Sequence, residues 1–320
     1  MQFRTKIPVQ QNPFPIDYDA KMVSLGSCFA VNMAQKFSYY KFHNSCNPFG
    51  IIFNPVSIEK LVERAVHQIL FTENDILFHS DLWHCFEVHS EFSNPDKEVF
   101  LRLLNELVVA TNQQITESTH FLITYGTSWV YRNIENNQIV ANCHKLPQKH
   151  FSKEILSIET IQTAIQNTLS LIQSINPEAK FTLTVSPVRH IKDGFVENQR
   201  SKAHLISAIH QVLEDFAICN LKSAFYFPSY EIMMDELRDY RFYAEDMLHP
   251  SALAVDYIWE RFKEASISES VSGVMEEVEN IQKSLTHKPF NPNSESHLKF
   301  RANLRKKITK LESQYPFMKF

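Results

Sequence analysis

The sequence predicts a three-layer α/β/α sandwich built on a mainly parallel sheet, with a helical appendage toward the C-terminus. Short, almost continuously apolar runs alternate with longer segments in which apolar residues recur at helical spacing. Such runs are typical of strands covered on both faces, as in parallel sheets. Their alternation with helices favours a doubly wound architecture with helices on both faces.

Four apolar runs are predicted to be the strands of this sheet. They are residues 22–25, 120–125, 181–185 and 224–227. Residues 75–95 alternate between polar and apolar side chains, which predicts an inserted antiparallel hairpin.

Helical spacing of apolar residues predicts the intervening elements. They are residues 29–37, 100–108, 155–175 and 205–216, and a helix that begins after Pro250 and Ser251. Residues 1–19, rich in Pro and Gln, are predicted to lie extended over the surface. Beyond residue 265 the composition becomes more polar, although residues 271–285 and 296–311 keep helical spacing. We therefore predict a main domain over 1–265 and a helical extension over 266–320, which offers a surface for a second copy of the chain or another partner.

Composition limits the classes of function. The 320 residues carry a formal net charge of -4, so no global field favours nucleic acid or an anionic membrane. The five cysteines include no CxxC spacing, and their odd number argues against a disulfide framework. No run approaches the length of a spanning helix, and the first residues lack a signal-peptide pattern. These features predict a soluble, cytoplasmic protein.

Two distant segments carry the strongest chemical signal. Ser27 follows Gly26 at the junction between a predicted strand and helix, where strand ends gather functional groups. It is either the N-cap of that helix or a nucleophile near amides that can stabilise an oxyanion. Asp246 and His249, three residues apart before another helix, can supply the orienter and the base of a serine hydrolase. Glu245 is an alternative orienter.

Several strings in order resemble the GSCFA family, which is grouped with the SGNH, GDSL-like hydrolases. They are Gly26-Ser27-Cys28-Phe29-Ala30, Asn47-Pro48-Phe49-Gly50, Gly126-Thr127-Ser128-Trp129, Asn142-Cys143-His144-Lys145, Ser186-Pro187-Val188-Arg189-His190 and Asp246-Met247-Leu248-His249-Pro250. The resemblance extends over roughly residues 20–262. It implies a Ser27 nucleophile, a catalytic Asp246 and His249, and an oxyanion hole formed by the amides of Ser27 and Gly50.

The third block departs from the SGNH pattern, because the usual G-x-N-D is replaced by Gly126-Thr127-Ser128-Trp129 and lacks the asparagine donor. The hydroxyls of Thr127 or Ser128, or the side chain of Asn54, are the available substitutes. Loss of one oxyanion donor typically costs about 3 kcal/mol of transition-state stabilisation.

Other reactive residue types have competing interpretations. Cys28, one residue past the turn, is either a buried thiol, which we favour, or a nucleophile. His144 and Lys145 either line the substrate cleft or serve the structure. Arg189, beside His190 at the predicted active edge, either binds an anionic substrate group or anchors a loop through a salt bridge. The spacing of His79, His84 and His89 suits no metal site.

The sequence as a whole predicts a serine esterase or acyl hydrolase acting on a small-molecule or carbohydrate ester, with no cofactor and no metal. The carbohydrate preference is an analogy with SGNH enzymes. The alternatives are an SGNH-fold binding or scaffold protein without turnover, an acyltransferase, and a thiol enzyme dependent on Cys28.

Overall fold

The structure, a computed structural model, describes residues 5–218 and 223–320. The strands are β1 (Lys21–Gly26), β2 (His43–Cys46), β3 (Leu77–His79), β4 (Leu82–His84), β5 (His120–Tyr125), β6 (Trp129–Asn133), β7 (Ile139–Val140), β8 (Phe151–Ile155), β9 (Lys180–Val185) and β10 (Ala224–Tyr226). The helices are α1 (Cys28–Tyr39), α2 (Pro55–His67), α3 (Lys97–Glu117), α4 (Ile158–Ile175), α5 (Phe195–Ile218), α6 (Ser229–Glu231), α7 (Ala252–Ser266), α8 (Ser272–Leu285) and α9 (Glu295–Gln314).

A parallel sheet of five strands forms the centre, in the order β10-β9-β5-β1-β2. Numbered along the chain, its strands follow the flavodoxin-like order 2-1-3-4-5. In such sheets the ligand crevice opens at the carboxyl ends of the strands, where the order reverses, which is here between β1 and β5. The residue that leaves β1 at this point is Ser27.

Side chains on successive residues of the central strands enter two different cores. Val23 and Phe121 pack on one face with α2, α3, α4 and α5. Met22 and Leu122 pack on the other face with α1 and α7. Because the central strands β1, β5 and β9 are buried on both faces, the sheet is covered twice, and the predicted three-layer α/β/α sandwich is confirmed.

The C-terminal helices share the second core. Val278 and Ile281 of α8 and Leu311 of α9 are buried in the same cluster as Phe37 and Trp259. The remainder of α9 is largely exposed. The boundary at 265/266 and a partner for these helices stay predictions.

All four predicted parallel strands occur, and the hairpin is confirmed as the antiparallel pair β3–β4. The prediction of helix from residue 155 was wrong at its start: Ile155 ends β8, and Ser157 caps α4 before Ile158. Residues 85–95 form no strand, so the hairpin is shorter than predicted, although Asn94 makes an isolated antiparallel bridge with Trp83 of β4.

Strand β2 and the antiparallel sheet β7-β6-β8 were not predicted from the sequence. Residues 5–19 follow the predicted extended course only in part, because Ile16 and Tyr18 are buried. The amide of Ile16 bonds to Ser266 O at 2.7 Å, which holds this segment against the end of α7.

Cys219 lies outside the described residues, as does the side chain of Phe216. The other four cysteines, Cys28, Cys46, Cys85 and Cys143, are free thiols. Across residues 5–218 and 223–320, no helix combines the length and apolar character needed to cross a membrane.

Candidate active site

Ser27 lies at the turn from β1 into α1. Its backbone is extended, its side chain is 1% exposed, and Oγ accepts a hydrogen bond from the Phe29 amide at 3.2 Å. The N-cap interpretation is therefore correct for the resting side chain. An N-cap serine also lies at the positive end of the helix dipole, where a developing negative charge is stabilised.

Gly26 makes this turn possible. Its φ is +126°, and a Cβ there would lie 2.0 Å from Thr124 O on the neighbouring strand β5. The Gly26 amide donates to Asn47 Oδ1 at 2.7 Å, which ties the turn to the residue that follows β2. Glycine is needed here because a larger residue meets backbone rather than a movable side chain.

The Asp246–His249 segment is a compact loop with its own hydrogen bonds. Asp246 Oδ2 lies 2.6 Å from His249 Nδ1, while Oδ1 accepts from the amides of Leu248 and His249 at 2.9 Å each. Met247 adopts a φ of 58°, and the Ala244 amide closes the loop onto His249 O at 2.7 Å.

These bonds control the chemistry of the pair. The His249 amide, the Leu248 amide and the His249 ring together lower the pKa of Asp246 to about 2. A carboxylate on Nδ1 favours the tautomer in which Nε2 is free to accept a proton. Glu245 is exposed and bonds to no other described side chain, so Asp246 is the residue that contacts the imidazole.

Ser27 and His249 line one cavity of about 340 Å³. Its other walls include Cys28, Phe53 and Arg189. No hydrogen bond joins Ser27 Oγ to the His249 ring, although both residues lie in the described part of the chain. The two predicted stretches thus meet at one cavity without the direct contact that a serine–histidine pair makes during catalysis.

A second cavity of about 410 Å³ adjoins the first. His190 and Lys192 line both cavities. Trp129, Tyr131 and Lys153, from the antiparallel sheet, lie along the second. The inserted sheet therefore extends the site beyond the serine, a feature that sequence reasoning missed because β6 and β8 were not recognised.

The two amides predicted for the oxyanion hole have partners inside the protein. The Ser27 amide donates to Thr124 O at 3.1 Å, and the Gly50 amide donates to Asn47 O at 2.7 Å. Gly50 has a φ of +80° in a tight turn, which directs its amide back at Asn47. Neither group is a free donor in this conformation, and the expectation needs that correction.

The three side chains proposed as substitutes also bond elsewhere. Asn54 caps α2 by accepting from the Ser57 amide at 2.9 Å, and its Nδ2 donates to Ser57 Oγ at 2.9 Å. Thr127 Oγ1 lies 2.8 Å from Ser201 Oγ, and Ser128 Oγ donates to Ser201 O at 3.2 Å. Asn54 and Thr127 line the second cavity, whereas Ser128 is fully buried.

Cys28 lines the first cavity, but its environment opposes a thiolate. Burial is the largest influence and raises the pKa of the thiol, although the Cys28 and Phe29 amides and Lys202 act in the opposite direction. Thiolate is the reactive form of cysteine, so this shift disfavours Cys28 as the nucleophile at neutral pH.

His144 and Lys145 do not line either cavity. His144 is buried, its Nε2 lies 2.6 Å from Cys85 O, and burial lowers its pKa to about 4. Lys145 is exposed, with a φ of 60°. Of the two interpretations of this pair, the structure favours the structural one, while Cys143 faces the second cavity.

Arg189 and His190 do reach the site. The Arg189 guanidinium lies 4.0 Å from the centre of the Tyr243 ring and forms no salt bridge with a described carboxylate. The His190 ring packs on Phe53 with its centre 5.4 Å away, and its Nε2 is enclosed without a hydrogen-bond partner. Burial, aided by Lys202 and His249, lowers the pKa of His190 to about 3, so the ring is neutral near pH 7.

Sequence reasoning missed Lys202 of α5. Its side chain is buried, and Nζ donates to Gly126 O at 2.6 Å and Ser186 O at 2.8 Å, the carbonyls that follow β5 and β9. Burial lowers its pKa to about 7. The signal was present, since Lys202 lies three residues before Leu205 on the apolar face of its helix.

The spaced histidines serve the hairpin region. His84 Nδ1 lies 2.6 Å from Ser93 Oγ, and its Nε2 lies 3.0 Å from His79 O. Among the residues that the structure describes, no group of three or more His, Cys, Asp or Glu side chains is arranged to hold a metal ion.

The model of the GSCFA family matches residues 21–262, which include both halves of the site. The chain belongs to the GSCFA family. A second family model, that of the C-terminal domain of GSCFA domain proteins, matches residues 278–320 of this GSCFA protein. No curated protein matches the chain significantly.

Proposed function

We propose that this GSCFA protein is a serine esterase of the SGNH type, in which Ser27 is the nucleophile, His249 the base and Asp246 the orienter. The observation that carries the proposal is the cavity shared by Ser27 and His249, with the His249 Nδ1 held 2.6 Å from Asp246. A buried serine at a helix N-terminus beside an oriented imidazole is the combination that acyl transfer requires.

The reaction follows from these groups. Ser27 Oγ attacks the ester carbonyl while its proton passes to His249 Nε2, and the carbonyl oxygen becomes an oxyanion. Collapse of this intermediate breaks the ester C–O bond, and His249 returns the proton to the departing alcohol. Water then attacks the Ser27 acyl ester with His249 as base, which releases the carboxylic acid and restores the serine. An acceptor hydroxyl in place of water would make the same site an acyltransferase.

Asp246 stays charged throughout the reaction near neutral pH, because the hydrogen bonds from the His249 amide, the Leu248 amide and the His249 ring lower its pKa to about 2. It thereby stabilises the imidazolium formed when Ser27 is deprotonated.

Ser27 must rotate about χ1 to reach the base. At rest its Oγ accepts from the Phe29 amide. Catalytic hydrogen bonds are often long or absent in unliganded enzymes and form in the substrate complex. Rotation frees the Phe29 amide at the helix N-terminus, where it can stabilise negative charge; this amide is the first oxyanion donor in the proposal.

The second oxyanion donor in this proposal is His190. Its ring lines the cavity and is neutral near pH 7, so it carries one N–H to donate. A neutral histidine is a better electrophilic donor than an imidazolium that would protonate the intermediate. This role replaces the side-chain amide that the third sequence block lacks.

The substrate in this proposal is an acyl ester with a sizeable alcohol part, preferably on a carbohydrate. The second cavity, with Trp129 and Tyr131 along it, gives room for that part beyond the serine. The carbohydrate class itself rests on analogy with SGNH enzymes.

The engaged Ser27 and Gly50 amides favour one rival function, a binding or scaffold protein that keeps the fold without turnover. A fluorophosphonate probe separates the two, since it phosphonylates an activated serine. We expect wild type to be labelled on the peptide containing Ser27, by mass spectrometry, and Ser27→Ala and His249→Ala to lose the label.

Two variants complete this test. Ser38→Ala, at an exposed position of the same helix, and Cys28→Ala should label as wild type does. Folded wild type that takes no label would overturn the esterase and leave the scaffold. Loss of label in Cys28→Ala but not in Ser27→Ala would transfer the nucleophile to the thiol.

A further inference from the structure

The walls of the two adjoining cavities carry an excess of positive charge. Their formally charged side chains are three cations, Arg189, Lys192 and Lys153, and one carboxylate, Asp193. Lys153 forms an ion pair with Asp193, so their charges compensate each other. Arg189 and Lys192 form no ion pair with any described carboxylate. The chain as a whole has a formal net charge of -4, so this local excess runs against its overall composition.

Arg189 is positioned without using up its capacity to bind an anion. Its amide donates to Leu248 O at 3.2 Å, which fixes it to the loop that carries His249. Its guanidinium lies over the Tyr243 and Tyr240 rings at 4.0 and 5.3 Å. Contact with these rings and a hydrogen bond with the Tyr243 side chain hold the guanidinium, and no described carboxylate pairs with its other N–H donors, which leaves them for a ligand.

Lys192 lies where the two cavities meet, since it lines both. It is exposed, so its ammonium is solvated in the free protein and available to a ligand. Of the two cavities, Arg189 borders only the one that contains the serine. An anion held by both side chains would therefore lie close to Ser27 and at the entrance to the wider cleft.

We propose that Arg189 and Lys192 form a subsite for a negatively charged group of the substrate, namely a carboxylate. The substrate is then an ester that carries a negative charge near its scissile bond. Arg189 binds two oxygens of that group through its planar fork, and Lys192 adds a point charge. This inference rests on the proposed esterase function and specifies its substrate class.

The test compares two p-nitrophenyl esters with the same succinyl chain, the hemisuccinate with a free carboxylate and its neutral methyl ester. Wild type should turn over the charged ester with a kcat/KM about 10-fold or more above that of the neutral one. Arg189→Gln should lower kcat/KM for the charged ester by a clearly larger factor than for the neutral ester and so remove most of this preference, and Lys192→Gln should reduce the preference by about threefold. Arg102→Gln, at an exposed position outside both cavities, is the matched control and should behave as wild type.

Salt gives a second readout. The preference for the charged ester should shrink as NaCl is raised from about 0.05 to 0.5 M, because exposed charges are screened. A wild type without preference, or an Arg189→Gln effect that is equal for the two esters, overturns the subsite while leaving the esterase intact. If an ester that bears a phosphate is turned over with a kcat/KM tenfold above that of the carboxylate ester, the group bound by the subsite is a phosphate rather than a carboxylate.

A binding measurement tests the subsite without turnover. Ser27→Ala protein, titrated by calorimetry, should bind monomethyl succinate more tightly than dimethyl succinate, and Arg189→Gln in that background should equalise the two. Equal binding in the Ser27→Ala protein overturns the subsite. If the anion binds but wild type is not labelled by fluorophosphonate, the esterase proposal fails and an anion-binding site remains.

Discussion

Gly26 offers the sharpest test of how the fold sets the nucleophile. In Gly26→Ala, the new Cβ would lie 2.0 Å from Thr124 O and 2.8 Å from Thr124 C, both backbone atoms of β5. No rotamer change relieves the contact, so the ends of β1 and β5 must separate. The φ of +126° adds about 1–3 kcal/mol of backbone strain.

Separation also removes the hydrogen bond from the Ser27 amide to Thr124 O, which at 3.1 Å contributes about 1 kcal/mol. These two contributions add up to an expected loss of about 2–4 kcal/mol, a large part of the stability of an ordinary domain. Unfolding in urea, followed by far-UV circular dichroism, measures it as the change in midpoint multiplied by the slope.

Two other glycines separate the contributions. Gly194 has a φ of +101° but nothing within 4 Å of a new Cβ, so Gly194→Ala should lose only about 1 kcal/mol from strain. Gly273, in α8, meets no atom within 4 Å and has ordinary helical backbone, so Gly273→Ala should gain up to about 1 kcal/mol. If Gly26→Ala costs no more than Gly194→Ala, the argument from close backbone approach is wrong.

Three further substitutions address the site. Asp246→Asn turns an amide N–H toward His249 and moves the imidazole proton to Nε2, so fluorophosphonate labelling should slow by about 10³–10⁴-fold. Glu245→Gln should label normally. The reverse result would make Glu245, rather than Asp246, the residue that orients His249. His190→Phe keeps the ring but removes its N–H, and the labelling rate should fall about 100-fold; an unchanged rate excludes the oxyanion role. Lys202→Met leaves two buried carbonyls without a donor and should cost about 2–4 kcal/mol near pH 6. The pKa of Lys202 is lowered from its ordinary value of 10.5 to about 7 in the folded chain, so between these limits the unfolded chain binds more protons. Wild type should therefore gain stability relative to Lys202→Met as the pH rises from 7 to 9, and a flat difference would refute the shift.

The architecture was predictable because the central strands are apolar on both faces. Residues 120–125 read as strand without ambiguity, and the helix after Ser251 starts where its cap predicts. β2 escaped prediction because His43–Cys46 is a half-buried, polar edge strand with no apolar run. β8 was not predicted because it directly precedes the amphipathic helix α4, and its last residue, Ile155, fits the helical spacing of the apolar residues that follow.

The candidate site was predictable at the level of residues but not of contacts. Asp246 and His249 bond within one short loop, so their pairing follows from local sequence. The Gly50 amide donates to Asn47 O within a tight turn instead of remaining free as an oxyanion donor. No local sequence pattern predicts this hydrogen bond. Lys202 contacts carbonyls on two strands distant in sequence, and such long-range partners are specified only once the sheet has formed.

The lengths of the outermost strands bear on how this protein behaves at high concentration. The sheet ends at β2 with four residues on one side and at β10 with three on the other. Strands this short present few unpaired amides and carbonyls to a neighbouring molecule, which is one of the ways natural sheets avoid growing from chain to chain. Edge-to-edge growth of this central sheet from one molecule to the next is therefore disfavoured.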